Sequence, residues 1–117
     1  MFQTRLITQV RRITDTAAVI DVRGEVNLYA ENVLLDAYLE ASRDGTKAVV
    51  LNFAGLEYMN SAGIGLLVTM LIRATRSGQR LLAVHLGEHY REIFTLTRLD
   101  EAISIFPTEA EALEHIL

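Results

Sequence analysis

AVVLNFAGLEYMNSAGIGLL, residues 48–67, is the stretch that decides the fold. Its first part, Ala48–Phe53, is apolar and rich in β-branched residues, as expected of a central strand covered on both faces. After a short turn, the pattern predicts a helix over residues 61–76. Asn60 and Ser61 both favour the N-cap position. We therefore expect an exposed serine hydroxyl in the first turn of this helix, within reach of another protein.

Strands and helices alternate along the rest of the chain. The strands are predicted at residues 6–12, 17–23, 47–53, 80–86 and 102–106; the helices are predicted at residues 28–42, 61–76 and 88–99, with a last helix opening at 107–109. Gly24–Asn27 is predicted to be a loop, and a turn is centred on Gly55. This alternation indicates an α/β fold with a mainly parallel sheet. The first two strands, with no helix between them, should be antiparallel.

The predicted helix at 61–76 has more apolar residues than a solvated helix needs. The residues expected to face inward are Ile64, Leu67, Val68, Leu71 and Ala74. Leu66 and Met70 lie off this stripe, so they are expected on an outward flank that a partner could cover. Gly63 and Gly65 each forfeit roughly 1 kcal/mol of helix stability against alanine. Either the helix packs tightly on its own sheet there, or another surface approaches its backbone closely.

Composition narrows the class of protein. The 117 residues carry a net charge of −4 and half of them are hydrophobic, which suits one domain, residues 1–117. Scattered basic residues, with Arg11-Arg12 interpreted as a solvated strand end, disfavour nucleic acid as the partner. There is no cysteine, and no apolar run is long enough to cross a bilayer. Residues 1–7 lack the apolar core of a secretory signal, so a cytoplasmic protein without direct membrane insertion is expected.

No constellation of residues indicates self-contained catalysis. Lys47 is the single lysine, and it does not belong to a phosphate-binding loop. His85 and His89 are separated by a break between strand and helix, which disfavours a metal site. The acidic residues of the last helix, Glu109, Glu111 and Glu114, are interpreted as its solvated face. The chain is therefore predicted not to be an enzyme, and to need neither metal nor cofactor.

Three segments together resemble the STAS domain, and most closely the bacterial anti-sigma-factor antagonists. They are Gly24–Asn27 after one strand, Asn60–Gly65 after another, and Phe106–Leu113 at the end. The resemblance spans nearly the whole chain. It implies a single STAS domain, a small mixed sheet of about five strands with helices packed mainly on one face. It also implies a partner-switching function.

In this family an anti-sigma factor that is also a serine kinase phosphorylates the serine matched here by Ser61. The resemblance implies that the unmodified chain binds that factor, that the phosphorylated chain releases it, and that a PP2C-type phosphatase restores the first state. It implies a monomer or weak dimer that regulates transcription. The residues expected to contact the partner are Gly24, Glu25, Asn27, Tyr58, Met59, Asn60, Ala62, Gly63 and Leu66.

Two positions depart from the family pattern, and two other functions stay open. Asn60 and Asn27 stand where the family usually has aspartate, which removes two charges beside the acceptor. Asn27 either ties its loop to the backbone or contacts a partner. The first alternative function is a constitutive STAS subunit of an ABC-type lipid transport complex, in which Ser61 only caps its helix. The second is a STAS module that senses a nucleotide or another small ligand.

Overall fold

In the computed structural model, which describes residues 5–116, the apolar run that starts at Ala48 lies at the centre of a five-stranded sheet. The strands are β1 (Leu6–Thr14), β2 (Ala17–Val26), β3 (Ala48–Met59), β4 (Arg80–Val84) and β5 (Ser104–Phe106). They lie side by side in chain order. β1 is antiparallel to β2, and the other neighbours are parallel, as predicted. The extent of the domain, residues 1–117, stays a prediction.

Helices cover the two faces of the sheet unequally. They are α1 (Glu31–Ala41), α2 (Ser61–Arg76), α3 (Glu88–Leu96) and α4 (Glu109–Ile116), with short 3₁₀ turns at Leu28–Ala30 and Leu99–Glu101. The main core joins one sheet face to α1, α2 and α3 through side chains such as Leu34, Leu67 and Phe94. A smaller core on the other face packs α4 over Val50 and Val84. The expectation of helices mainly on one face is confirmed.

Two predicted breaks in strands are wrong, because β2 and β3 continue as a pair. The expected loop at Gly24–Asn27 is strand as far as Val26, and the expected turn at Gly55 lies inside β3. The pairing reaches Val26 opposite Met59, with two irregularities in register on the way. Gly24 has a φ of +96°, and a Cβ there would overlap the carbonyl oxygen of Arg5. Glycine here therefore permits a close approach of two strands instead of ending one.

Two helix boundaries also differ from the prediction. The first helix was expected from residue 28, but Leu28–Ala30 form a 3₁₀ turn before α1 begins. The third helix was expected to reach Leu99, but α3 ends at Leu96. Arg98 has a φ of +63°, which an α-helix does not accommodate. A separate 3₁₀ turn therefore precedes α1, and another follows α3.

The inward face of α2 is rotated from the predicted one. Its buried residues are Gly63, Leu66, Leu67, Met70 and Ala74. Leu66 and Met70 were expected to lie outward, and this is wrong. Val68 was expected to lie inward but is exposed. The rotation follows from Gly63, which faces the sheet although it contributes no apolar side chain to the pattern.

An ion-pair network fastens α4 to the sheet. Arg11 on β1 contacts Asp21 on β2 at 2.7 Å and Glu109 at the start of α4 at 2.6 Å. Asn52 on β3 donates a further hydrogen bond to Glu109 at 3.1 Å. The predictions of a solvated Arg11 and a solvated Glu109 are therefore wrong. The hydrogen bond from Arg11 holds the pKa of the Glu109 carboxyl below its ordinary value.

We expect this network to make stability depend on pH. Because the pKa of Glu109 is lowered by folding, its contribution is complete above its unfolded value and is lost as pH falls through the folded value. Glu109→Gln should therefore lower the free energy of unfolding by about 1 kcal/mol near neutral pH. The difference from wild type should shrink as pH falls, and it should vanish once the Glu109 carboxyl is protonated in the folded chain as well.

Urea unfolding of wild type and of Glu109→Gln, near neutral pH and again in acid, measures this difference. The matched control is Glu114→Gln, which changes an exposed residue of the same helix and should have little effect at either pH. An equal difference between wild type and Glu109→Gln at both pH values would rule out a stabilising ionised Glu109.

Candidate functional site

Ser61 is the first residue of α2, directly beyond the end of β3. The side chain of Asn60 caps the helix by accepting a hydrogen bond from the Gly63 N–H at 3.0 Å. Ser61 is exposed, and its hydroxyl makes no hydrogen bond with any residue from 5 to 116. Asn60, not Ser61, is therefore the cap of α2. Among the described residues, the Ser61 hydroxyl neither caps the helix nor stabilises a neighbouring segment through a hydrogen bond.

The turn after β2 lies against the start of α2. The Asn60 N–H donates to the carbonyl oxygen of Val26 at 3.3 Å. The next residue, Asn27, accepts a hydrogen bond from the Tyr29 N–H at 2.9 Å through its side chain, and so caps the 3₁₀ turn. This hydrogen bond is the link between the Asn27 side chain and the local backbone that the sequence suggested as one of two roles. The two asparagines thus hold two adjacent turns.

The two glycines of α2 differ in their surroundings. A Cβ on Gly63 would overlap the carbonyl oxygen of Val26 and lie 2.8 Å from Cγ of Met59. A Cβ on Gly65 would meet no atom within 4 Å. Tight packing on the sheet therefore accounts for Gly63 but not for Gly65. Gly65 is exposed one helical turn after Ser61, and it leaves the backbone open on the same face.

The residues predicted to contact a partner divide into two groups. Tyr58 is 52% exposed, and Glu25, Asn27, Asn60 and Ala62 are half-buried around the start of α2. Gly24, Met59, Gly63 and Leu66 are buried. Contact of these four with a partner stays a prediction. In the free chain, Gly63 packs on Val26 and Met59, and Gly24 lies against the carbonyl oxygen of Arg5. Alternation along β3 separates Tyr58 from Met59, which is 4% exposed.

Several exposed apolar residues near Ser61 were not predicted. Leu28 and Tyr29 project from the 3₁₀ turn that contacts α2, and Val68 and Ile72 project from α2 itself. Ser61, Gly65, Val68 and Ile72 follow one another at intervals of four, three and four residues, so they lie on one helix face. We call these four the outer face of α2. That spacing is visible in the sequence, but the misassigned inward stripe obscured it.

Charge around the start of α2 is sparse. The first turn of the helix contains no acidic residue. Glu25 is half-buried and pairs with Arg5 at 3.4 Å. The N-terminal end of a 16-residue helix carries a partial positive charge and unpaired N–H groups. A phosphate on Ser61 would therefore meet a favourable local field in the free chain.

The described residues offer neither a metal site nor a membrane span. Between residues 5 and 116, no three His, Asp or Glu side chains are placed to hold a metal ion. Within the same range, no helix is both long and apolar enough to cross a membrane.

Comparison with known proteins establishes the family. The sequence model described as "Mlab, STAS domain" matches residues 10–107. The chain belongs to the STAS family. An anti-sigma-B factor antagonist of Staphylococcus epidermidis is 27% identical over 86 residues, which are 74% of this chain and 80% of that protein.

Solved structures show the same fold. An anti-sigma factor antagonist from Mycobacterium paratuberculosis is 23% identical, with a TM-score of 0.79 over 97% of each chain. The phosphorylated form of the Bacillus cell fate determinant SpoIIAA is 20% identical, with a TM-score of 0.70 over 95% of this chain and 100% of that chain. The α/β fold predicted from the alternation of strands and helices, and implied by the resemblance, is confirmed. So is the prediction that the chain is not an enzyme, since STAS antagonists are non-enzymatic binding proteins.

Proposed function

We propose that the chain is an anti-sigma-factor antagonist whose binding is switched by phosphorylation of Ser61. The observation that carries this proposal is the exposed hydroxyl of Ser61, which has no hydrogen bond among residues 5–116 and stands at the start of a capped helix. The similarity to proteins named anti-sigma-B factor antagonists supports it. So does the fold shared with SpoIIAA, a protein known in a phosphorylated form.

The unmodified chain binds an anti-sigma factor that is also a serine kinase. The anti-sigma factor then releases the sigma factor that it had held. Contact is made by Tyr58 and Ala62 beside the acceptor, together with the outer face of α2. These residues form a surface with little charge, which a partner can cover without burying an unpaired ion. Glu25 and the asparagines at 27 and 60 border the surface.

Phosphorylation ends this contact by local chemistry. The kinase partner supplies ATP and a base that takes the proton from the Ser61 hydroxyl. The Ser61 oxygen then attacks the γ-phosphorus, and ADP leaves. The product carries about −1.5 to −2 charges at the centre of the contact surface. Burying those charges against an apolar partner costs several kcal/mol, whereas the helix start stabilises them in the free chain. A PP2C-type phosphatase hydrolyses the phosphate and restores binding.

Mass spectrometry tests the modification. The chain is mixed with ATP and with the serine kinase encoded nearest to its gene. We expect wild type to gain the mass of one phosphate and Ser61→Ala to gain none. The control is Ser77→Ala, which changes an exposed serine at the other end of α2 and should leave phosphorylation intact. A wild-type chain that gains no phosphate, or a Ser61→Ala chain that gains one, would refute the phosphorylation switch.

A second candidate function is a constitutive STAS subunit of an ABC-type lipid transport complex. The observation that favours it is the use of Asn60 and Asn27 as backbone caps, with no carboxylate in the first turn of α2 for a kinase to recognise. In this case the outer face of α2 binds the transporter permanently. Affinity capture with the intact chain distinguishes the two functions. Recovery of a transporter ATPase favours the subunit, and recovery of a serine kinase favours the switch.

A further inference from the structure

The last part of β3 lacks a neighbour on one side. β4 pairs with β3 only from Ala48 to Asn52, whereas β3 continues to Met59. Residues 53–59 are therefore held by β2 on one edge, and no strand of the described chain covers the other edge. An unsupported strand end is normally free to open locally. Here it leads directly into the Ser61 turn.

A side chain from α3 takes the place of the missing strand. The hydroxyl of Tyr90 accepts a hydrogen bond from the Met59 N–H at 3.0 Å, in a partly buried position. The ring of Tyr90 packs against the main core and meets the His89 ring edge-on at a centroid distance of 5.1 Å. Because the ring is held in this way, its hydroxyl is a fixed acceptor and not a mobile one.

Three hydrogen bonds fix successive backbone N–H groups between Met59 and Gly63, the segment that contains Ser61. Tyr90 holds the Met59 N–H, Val26 holds the Asn60 N–H, and the Asn60 side chain holds the Gly63 N–H. The acceptor of the second bond, Val26, ends β2, and the acceptor of the third, Asn60, is the N-cap of α2. The bond from Tyr90 is the one that comes from α3.

We propose that Tyr90 is a positioning residue, which holds the Met59 peptide and thereby presents Ser61 to the kinase in one conformation. This inference rests on the proposed phosphorylation of Ser61. The apparent affinity of a kinase for the segment around Ser61 is the intrinsic affinity multiplied by the fraction of molecules in the binding-competent conformation. Loss of the Tyr90 hydroxyl should lower that fraction. The Michaelis constant then rises, while the turnover of the bound complex stays the same.

Tyr90→Phe tests the proposal, because it removes the hydroxyl and keeps the packed ring. Tyr38→Phe is the matched control, since the Tyr38 hydroxyl also makes a hydrogen bond, to Gln79. Amide exchange measured by NMR should become roughly 5-fold faster at Met59 in Tyr90→Phe, as expected for the loss of one hydrogen bond. Exchange at Met59 should be unchanged in Tyr38→Phe.

Phosphorylation kinetics supply the second readout. For Tyr90→Phe we expect KM to rise, by no more than the roughly 5-fold increase in local opening, with kcat unchanged, and for Tyr38→Phe we expect both to stay at the wild-type values. Unchanged exchange at Met59, or an equal rise of KM in both variants, would overturn the positioning role. A wild-type chain that is not phosphorylated would instead refute the proposed function. The exchange experiment would then still decide whether Tyr90 holds the turn.

Discussion

Gly63→Ala is expected to destabilise the chain by roughly 2 kcal/mol or more, a typical cost of overpacking once the better helix propensity of alanine is allowed for. The added methyl group would overlap the carbonyl oxygen of Val26, which is backbone and cannot rotate away. It would also press on Cγ of Met59. The start of α2 must therefore move off the strand ends.

The matched variant is Gly65→Ala, two residues further along the same helix. No atom lies within 4 Å of its added Cβ, so only the helix propensity changes. We expect this variant to be more stable than wild type by about 1 kcal/mol. Thermal or urea unfolding of the two variants should therefore show shifts in opposite directions. Equal stability of the two alanine variants would contradict the close packing of α2 on the turn after β2.

Ser61→Glu is expected to weaken binding to the anti-sigma factor by roughly 30- to 150-fold, since a misplaced charge in an interface costs about 2–3 kcal/mol. The carboxylate would stand on the outer face of α2, in a first helical turn that contains no acidic residue in the free chain. The free chain itself should lose no stability, because an acidic residue in the first turn of a helix is favourable.

The control for this prediction is Ser61→Ala. It removes an exposed hydroxyl that has no hydrogen bond within residues 5–116, so the affinity should stay within about 2-fold of wild type. Isothermal titration of each variant with the purified factor measures both values. Similar affinities of Ser61→Glu and Ser61→Ala would show that the start of α2 lies outside the contact surface.

Local patterns predicted the order of the elements and the place of Ser61 well. The apolar run from Ala48 marks the central strand, and the asparagine and serine at 60–61 mark the start of α2. These properties depend on neighbouring residues, which is why they are visible in the sequence. The continuation of β2 and β3 past Gly24 and Gly55 depends on pairing between distant strands. Glycine alone suggested a turn at both positions.

The tertiary contacts of the site could not be predicted in this way. Gly63 faces inward because its backbone packs on Val26, and a pattern of apolar side chains cannot register that contact. Arg11 and Glu109 are separated by 98 residues and meet only because α4 folds across the sheet. The bond between Tyr90 and the Met59 N–H likewise depends on where α3 docks.

The most direct measurement is a titration of one anti-sigma factor with the unmodified chain and with the chain phosphorylated at Ser61. We expect the unmodified chain to bind tightly. Phosphorylation should lower the affinity by at least about 100-fold, because a double negative charge is expelled from an apolar contact. The phosphorylated chain should unfold at the same urea concentration as the unmodified chain or higher. Equal affinity of the two forms for the factor would contradict the switch.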